Sequence, residues 1–393
     1  MSNLISQNKG WRFETNERKY LDEVLSSGFG AGESGTFNER LERMFADMHN
    51  QRYAITANSG TSTLHMGLYA GGIKAGDEVL IPTIGPAMTG YSVWQSGATP
   101  VYVDARVDTF LMDMNDARKK ITKKTKAIMP VHIYGLMCDM TAVLALAEEF
   151  NLHIVEDCAQ CTFAHDELGR VAGTIGHVGS WSFENSKHLS TGDGGIVTTN
   201  NEQMATKMRQ FGGVGFKNIG AGSGKVRIDR NLFQNPNWER HNIMAYNYRL
   251  PELCAAVGLA QLEKAQWLCE LRILMGEAYL NAIGNNEMLV PQLVPAGFKH
   301  SYYTFGALFN PNLGVTWEQF RLKYMEFGGD GIFAAWQSVN KEPAFKGVGW
   351  GEVPMAEKLQ RNLMQFTTNQ RDEAERTKQA EILSKTLDFF KSH

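Results

Sequence analysis

No stretch of this sequence is apolar for long enough to cross a bilayer. Its opening residues, MSNLISQNKGWRFETNERKY, lack a basic segment followed by an apolar one, so no secretory signal is expected. Positive charge is not in excess either. Thirty-nine Lys and Arg face 42 Asp and Glu, a net charge of −3. Nothing therefore draws the whole chain onto nucleic acid or anionic lipid, and an anionic ligand needs a local site. Cysteine is scarce and odd in number, five in 393 residues, which argues for a reducing compartment with the cytoplasm as default. Cys158 and Cys161 do form a C-x-x-C. A redox pair, however, opens a helix in a thioredoxin-like unit, and zinc needs a second pair of ligands with matching spacing. Neither context is present, so two small buried thiols are the preferred reading and no metal is expected. Repeats, low-complexity tracts and long linkers are also lacking.

What is present is an alternation. The length exceeds what one core usually supports, so two units are expected. Between about residues 50 and 200, short apolar runs at 77–82, 99–104, 126–133, 152–156, 178–183 and 195–199 read as strands. Helical spacing at 87–96 and 140–149 separates some of them. Such a pattern implies a largely parallel sheet covered on both faces. One long helix is expected from Arg249 to about Ala282. Beyond residue 300, a strand at 301–309 and helices at 316–327 and 370–391 suggest a smaller α+β unit. The glycine-rich, polar stretch 212–240 reads as an irregular excursion.

Three short stretches carry chemistry. VEDCAQ (155–160) closes an apolar strand, and ligand sites in open α/β sheets lie beyond such carboxyl ends. Glu156 and Asp157 are adjacent, so on a strand they face opposite ways and do not form an acid/base pair. In SFENSKHLSTGDGG (182–195), Lys187 occupies a polar turn after a buried strand, five residues beyond Ser182 and just before glycines that allow close backbone approach. ANSGTSTL (57–64) places small residues at a helix start, where free N–H groups suit a phosphate as well as they suit a plain cap.

Taken together and in order, SGTSTLHMGLYAGGIKAGDEVLIP, GATPVYVD, KAIMPVHIYGLMCDM, VEDCAQ, SFENSKHLSTGDGGIVTTN and YNYRLPELCAAVGLAQLEK resemble the DegT/DnrJ/EryC1/StrS family over residues 12–392. Perosamine-synthase-like members are the nearest in appearance. The resemblance implies a fold-type-I pyridoxal-phosphate (PLP) transferase. Its large domain, residues 1–265 with an N-terminal arm, would hold a mixed, mostly parallel seven-stranded sheet between helices. A small α+β domain would occupy residues 266–393. It further implies that Lys187 forms the Schiff base with PLP and that Asp157 pairs with the pyridine nitrogen. Gln160 would lie near the cofactor's O3′. Gly60, Thr61 and Ser182 would bind its phosphate. Asn247 would reach the phosphate of a neighbouring subunit, so the active sites would be shared across a homodimer. Glutamate or glutamine would donate the amine. A keto- or aldehydo-sugar would accept it, in cell-surface polysaccharide, lipopolysaccharide or deoxyaminosugar biosynthesis. A nucleotide-linked 4-keto-6-deoxysugar, a 3-keto sugar and a free sugar acid such as an 8-aldehydo-octulosonate are all compatible.

Two departures stand out. The aromatic residue that often stacks on the PLP ring is missing from PTIGPAM (82–88), leaving Pro86 or Met88 for that position. The excursion 211–245 is long and is expected to shape the sugar pocket. His188 follows the lysine directly, and some relatives are sugar dehydratases in which histidine replaces the lysine. The register to GDGG assigns the lysine position to Lys187, and only an amine can hold the cofactor covalently. Arg249, close to Asn247, suits either a structural role or a substrate anion. A dehydratase or isomerase and a non-catalytic PLP- or sugar-binding sensor remain alternatives. A Walker A loop at GAGSGK (220–225) fails, because Ile219 stands where glycine is required and Val226 where Ser or Thr is.

Overall fold

The computed structural model describes residues 9–30, 35–222 and 230–391. Residues 223–225 of the rejected GAGSGK loop lie outside the described residues. Seven strands build the first sheet: β1 (Tyr53–Ala57), β2 (Glu78–Pro82), β3 (Thr99–Val103), β4 (Thr125–Ile128), β5 (His153–Asp157), β6 (Val178–Ser182) and β7 (Gly195–Thr199). Their spatial order is β1-β7-β6-β5-β4-β2-β3. β7 runs antiparallel to both neighbours, and the other pairings are parallel. Every residue of β2, β5 and β7 is buried, as expected of strands covered on both faces.

Helix α1 (Glu17–Ser26) and helix α2 (Phe37–Met48) pack against the helix Glu252–Glu263. A capping box between Thr36 and Glu39 starts α2. Helix α3 (Gly60–Ala70) follows β1 and lies across β5, β6 and β7. It is buried nearly all round, and a Cβ on Gly67 would sit only 3.1 Å from Val155 and Val178. Helix α4 (Met88–Gln95) follows β2.

The second sheet is antiparallel, with β8 (Leu289–Pro291), β9 (Phe305–Phe309), β10 (Ile332–Ala334) and β11 (Leu363–Phe366) in the order β10-β11-β9-β8. It has its own apolar cluster, which includes Tyr279, Phe305, Phe320, Tyr324 and Phe366. Among the described residues, no helix is long and apolar enough to cross a membrane.

Several expected boundaries moved. β1 was not anticipated, because YAITA is a short run with weak flanking signals. The strand expected at 126–133 stops at Ile128. Pro130 has no N–H to continue a ladder, and Tyr134 takes a positive φ of 63° in a tight turn. The single helix expected from Arg249 is two, Glu252–Glu263 and Ala265–Ile283. The break is at Lys264, whose ammonium is held by Glu17 at 2.6 Å and Thr15 at 2.8 Å. The strand expected from Ser301 begins at Phe305, since Tyr302 has φ +44° and Ser301 N–H turns away to the Gly135 carbonyl. All five cysteines are free thiols, and Cys158 and Cys161 are buried.

Candidate active site

β1, β5 and β6 point the same way and β7 the opposite way. The carboxyl ends of three strands and the amino end of a fourth therefore share one edge of the sheet. Register makes this concrete: Ala57, Gly195 and Ser182 stand in line across β1, β7 and β6. That edge is where open α/β sheets bind ligands.

Asp157 closes β5 there and is 2% exposed. Its Oδ1 accepts from the Ala159 N–H at 3.0 Å and its Oδ2 from the Thr89 hydroxyl at 3.1 Å. Burial raises its pKa above the ordinary carboxylate value; the Ala159 N–H and the charge of Lys187 pull the other way. Its main chain is fixed on both sides, by the Pro130 carbonyl and the His132 N–H.

Lys187 sits in the turn between β6 and β7, yet it is 8% exposed. Its Nζ lies 4.5 Å from the centroid of the Tyr303 ring. It has no hydrogen bond or ion pair to a carboxylate among the described residues. The Tyr303 hydroxyl is 2.8 Å from Ser186 Oγ. Gln160 is buried, and its Oε1 accepts from the Tyr134 N–H at 2.9 Å. Pro86, Tyr134, Gln160, Ser186, Tyr303, Phe333 and Trp336 line one cavity of about 360 Å³.

Around Ser182, at the same sheet edge, the chain packs tightly. A Cβ on Gly60 would fall 2.8 Å from Ser182 Cβ, and one on Gly195 would fall 2.8 Å from Gly60 N. Only glycine lets α3 begin this close to β6 and β7. As the first residues of α3, Gly60 and Thr61 have N–H groups with no intrahelical acceptor. Ser59 caps the Ser62 N–H instead.

Other candidates fall elsewhere. His188 is buried, with Nε2 donating to the Ser301 carbonyl at 2.9 Å. Burial, with Arg272 adding to it, holds its pKa well below the usual imidazole value, so the ring is neutral. Met88 starts α4 and is 43% exposed. Asn247 and Arg249 are exposed and line a different cavity, of about 380 Å³, with Glu42 and Arg209.

His132, Glu156 and Cys158 converge in the core behind Asp157. His132 Nδ1 accepts from the Cys138 N–H, and Nε2 donates to Glu156 at 3.0 Å. The Glu156 carboxylate also accepts from the N–H groups of Gly173, Ile175 and Gly176. These donors and acceptors are already committed, so the trio is a structural hub rather than an open ligand set. Tyr303, Thr89, Arg12 and Arg272, all in contact with the site residues, were not singled out from the sequence. They come from segments without a motif, and only the fold brings them here.

Residues 12–376 match the DegT/DnrJ/EryC1/StrS aminotransferase family. The chain belongs to this family. GDP-perosamine synthase of Escherichia coli O157:H7 is 37% identical over 249 residues, so the match spans 63% of that relative's length and 63% of this chain. GDP-perosamine synthase of Caulobacter vibrioides is 35% identical over 314 residues, 78% of either chain. The structure of an aminotransferase from Psychrobacter cryohalolentis superposes with a TM-score of 0.85 at 28% identity, over 96% of this chain and 98% of that one. DesV of S. venezuelae superposes with a TM-score of 0.84 at 25% identity, over 96% of each chain. The fold class expected from the motifs is the one found.

Proposed function

We propose that this family member uses PLP to move an amino group from glutamate or glutamine onto a sugar bearing a keto or aldehyde carbon. The observation that carries the reading is one convergence. A buried amine with no carboxylate partner among the described residues (Lys187), a buried carboxylate (Asp157) and a glycine-built helix start beside Ser182 share one sheet edge. These residues fit the cofactor. A buried amine with no carboxylate in hydrogen-bond reach is costly unless a ligand takes it up, and a Cβ would fill the cradle at Gly60. When bound, PLP supplies a carbon that takes up amines and a ring that accepts electrons from the substrate carbon.

Lys187 would hold the cofactor through Nζ and, once displaced by the donor, carry a proton to and from the substrate carbon. Asp157 would keep the ring nitrogen protonated, with Thr89 fixing the carboxylate's orientation. Gly60, Thr61 and Ser182 would anchor the phosphate. Gln160 would stand beside the ring. Tyr303, lying under Lys187 Nζ, supplies the aromatic surface that 82–88 lacks. The committed ring of His188 supports the lysine-based reaction over the dehydratase. The neighbouring cavity, with Phe333 and Trp336 on its wall, would receive the sugar. Asn247 and Arg249 open away from it, which fits a homodimer in which Asn247 serves the other subunit's phosphate. The names of the relatives make a nucleotide-linked keto-sugar the first acceptor to try, for polysaccharide or deoxyaminosugar synthesis.

Absorption spectroscopy tests this. Protein loaded with PLP is expected to show a visible band that excess glutamate bleaches as 2-oxoglutarate appears. Nucleotide-linked keto-sugars and free aldehydo-sugar acids are then offered to the aminated enzyme. A missing visible band would overturn Lys187, and a band indifferent to both glutamate and glutamine would overturn the transamination.

A further inference from the structure

Arg12 and Arg272 come from distant parts of the chain, one from the helical turn Lys9–Phe13 and one from the helix Ala265–Ile283. They are 2% and 3% exposed. Neither guanidinium forms an ion pair with a carboxylate among the described residues. Both donate almost entirely to main-chain carbonyls. Arg12 Nη2 reaches the Lys187 carbonyl at 2.8 Å and the His188 carbonyl at 2.7 Å. Arg272 Nη2 reaches the carbonyls of Ser186 at 2.9 Å and Lys187 at 3.1 Å. The Lys187 carbonyl therefore accepts from two arginines.

The other arm of Arg272 points to the smaller unit. Its Nη1 donates to the Tyr303 carbonyl at 2.6 Å and to Thr368 Oγ1 at 3.2 Å. These residues flank β9 and β11. The Arg272 guanidinium also lies 5.7 Å from the Tyr303 ring, the same ring that underlies Lys187 Nζ. One side chain thus joins the lysine turn to the segment that lines the cavity.

Burying a guanidinium without a counter-charge is expensive. Burial lowers Arg12 to about 10 and Arg272 to about 9, so both stay charged at neutral pH. A planar fork of five donors in fixed directions holds carbonyls on two elements at once with a geometry that a compact ammonium does not impose. We propose that Arg272, assisted by Arg12, is a positioning residue that ties the Lys187 main chain to the Tyr303 segment. The seating of the smaller unit then sets where the lysine amine stands. The N-terminal turn, through Arg12, is part of the same device. This inference rests on the reading of Lys187 as the reacting amine.

The test uses the full chain with Arg272→Met, Arg272→Lys and Arg12→Met. Three quantities are read: the visible band with PLP, its bleaching rate against glutamate concentration, and amide hydrogen exchange of residues 185–189 without cofactor. The band is expected in every variant. In Arg272→Met the limiting rate should fall about 100-fold while half-saturating glutamate moves by less than about threefold, the signature of a misplaced reacting group. Exchange at 185–189 should accelerate in both methionine variants. Arg272→Lys keeps the charge but not the two-sided hold, and should remain at least about tenfold slow. A wild-type rate in either Arg272 variant, or unchanged exchange, overturns the proposal while leaving Lys187 intact. If Arg272→Met does not fold, the lysine variant decides alone. A missing band in the unaltered protein overturns the Lys187 reading, and this inference with it.

Discussion

At the residue scale, Lys187 and Asp157 are the buried ionisable groups proposed to act on the cofactor. Lys187→Ala should abolish the visible PLP band and lower turnover by at least about 1000-fold, since both the covalent hold and the proton carrier are lost. Thr89→Val removes the hydroxyl that donates to Asp157 Oδ2. A hydrogen bond to a charged group contributes about 1.5–3 kcal/mol, so the bleaching rate should fall by about tenfold or more. Asp157 also has a stability consequence. Its folded pKa is raised by burial, so the folded state holds the proton to higher pH than the unfolded chain does. Stability therefore falls as pH rises through that window. Cofactor-free Asp157→Asn should melt above wild type at about pH 7, with the gap closing toward about pH 4. A constant gap across that range would contradict the assignment.

At the element scale, the site depends on how closely α3 begins against β6 and β7. Gly195→Ala would drive a methyl into the main chain of Ser59 and Gly60, both 2.8 Å from the new Cβ. Overpacking of this kind costs about 1–3 kcal/mol, and PLP affinity should fall by about tenfold or more. Gly220→Ala, with open space around its Cβ, is the neutral control. Equilibrium binding of PLP to both variants checks the pair. Most elements of the first sheet were legible, because parallel strands buried on both faces leave continuous apolar runs. The break at Lys264 was not. Good helix formers run straight through it, and the interruption coincides with Glu17, distant in sequence, holding the lysine's side chain.

At the scale of the whole molecule, five histidines among the described residues are buried in neutral form, His188 among them. Burial lowers His49, His65 and His153 to about 4 and His300 to about 3. Each takes up a proton in the unfolded chain near about pH 6.5 and in the folded one only well below that. Their contribution is therefore complete above about pH 6.5 and is lost as pH falls toward about 4. His132, whose neighbours Cys158, Cys138 and Glu156 outweigh its burial, runs the other way but stands alone against five. The melting temperature should drop steadily between about pH 6.5 and about pH 4.5, and a flat profile in that range would refute this. We place the division between the units at 265–266, beside the break at Lys264. Arg272 then lies just inside the second unit while holding the lysine turn of the first.

The motifs by themselves determined the family, the α/β class and the residues proposed for the cofactor. Each of those is local: a strand end, small residues at a helix start, a lysine at fixed spacing from GDGG. Only the tertiary structure decided that Lys187 is buried over Tyr303, that His188 is spent on Ser301, and that Asn247 and Arg249 open onto a different cavity from Gln160. It alone revealed Thr89, Arg12 and Arg272. The reason is physical. A side chain that acts through hydrogen bonds to distant main-chain carbonyls needs no particular neighbours in sequence, only a fold that carries it there.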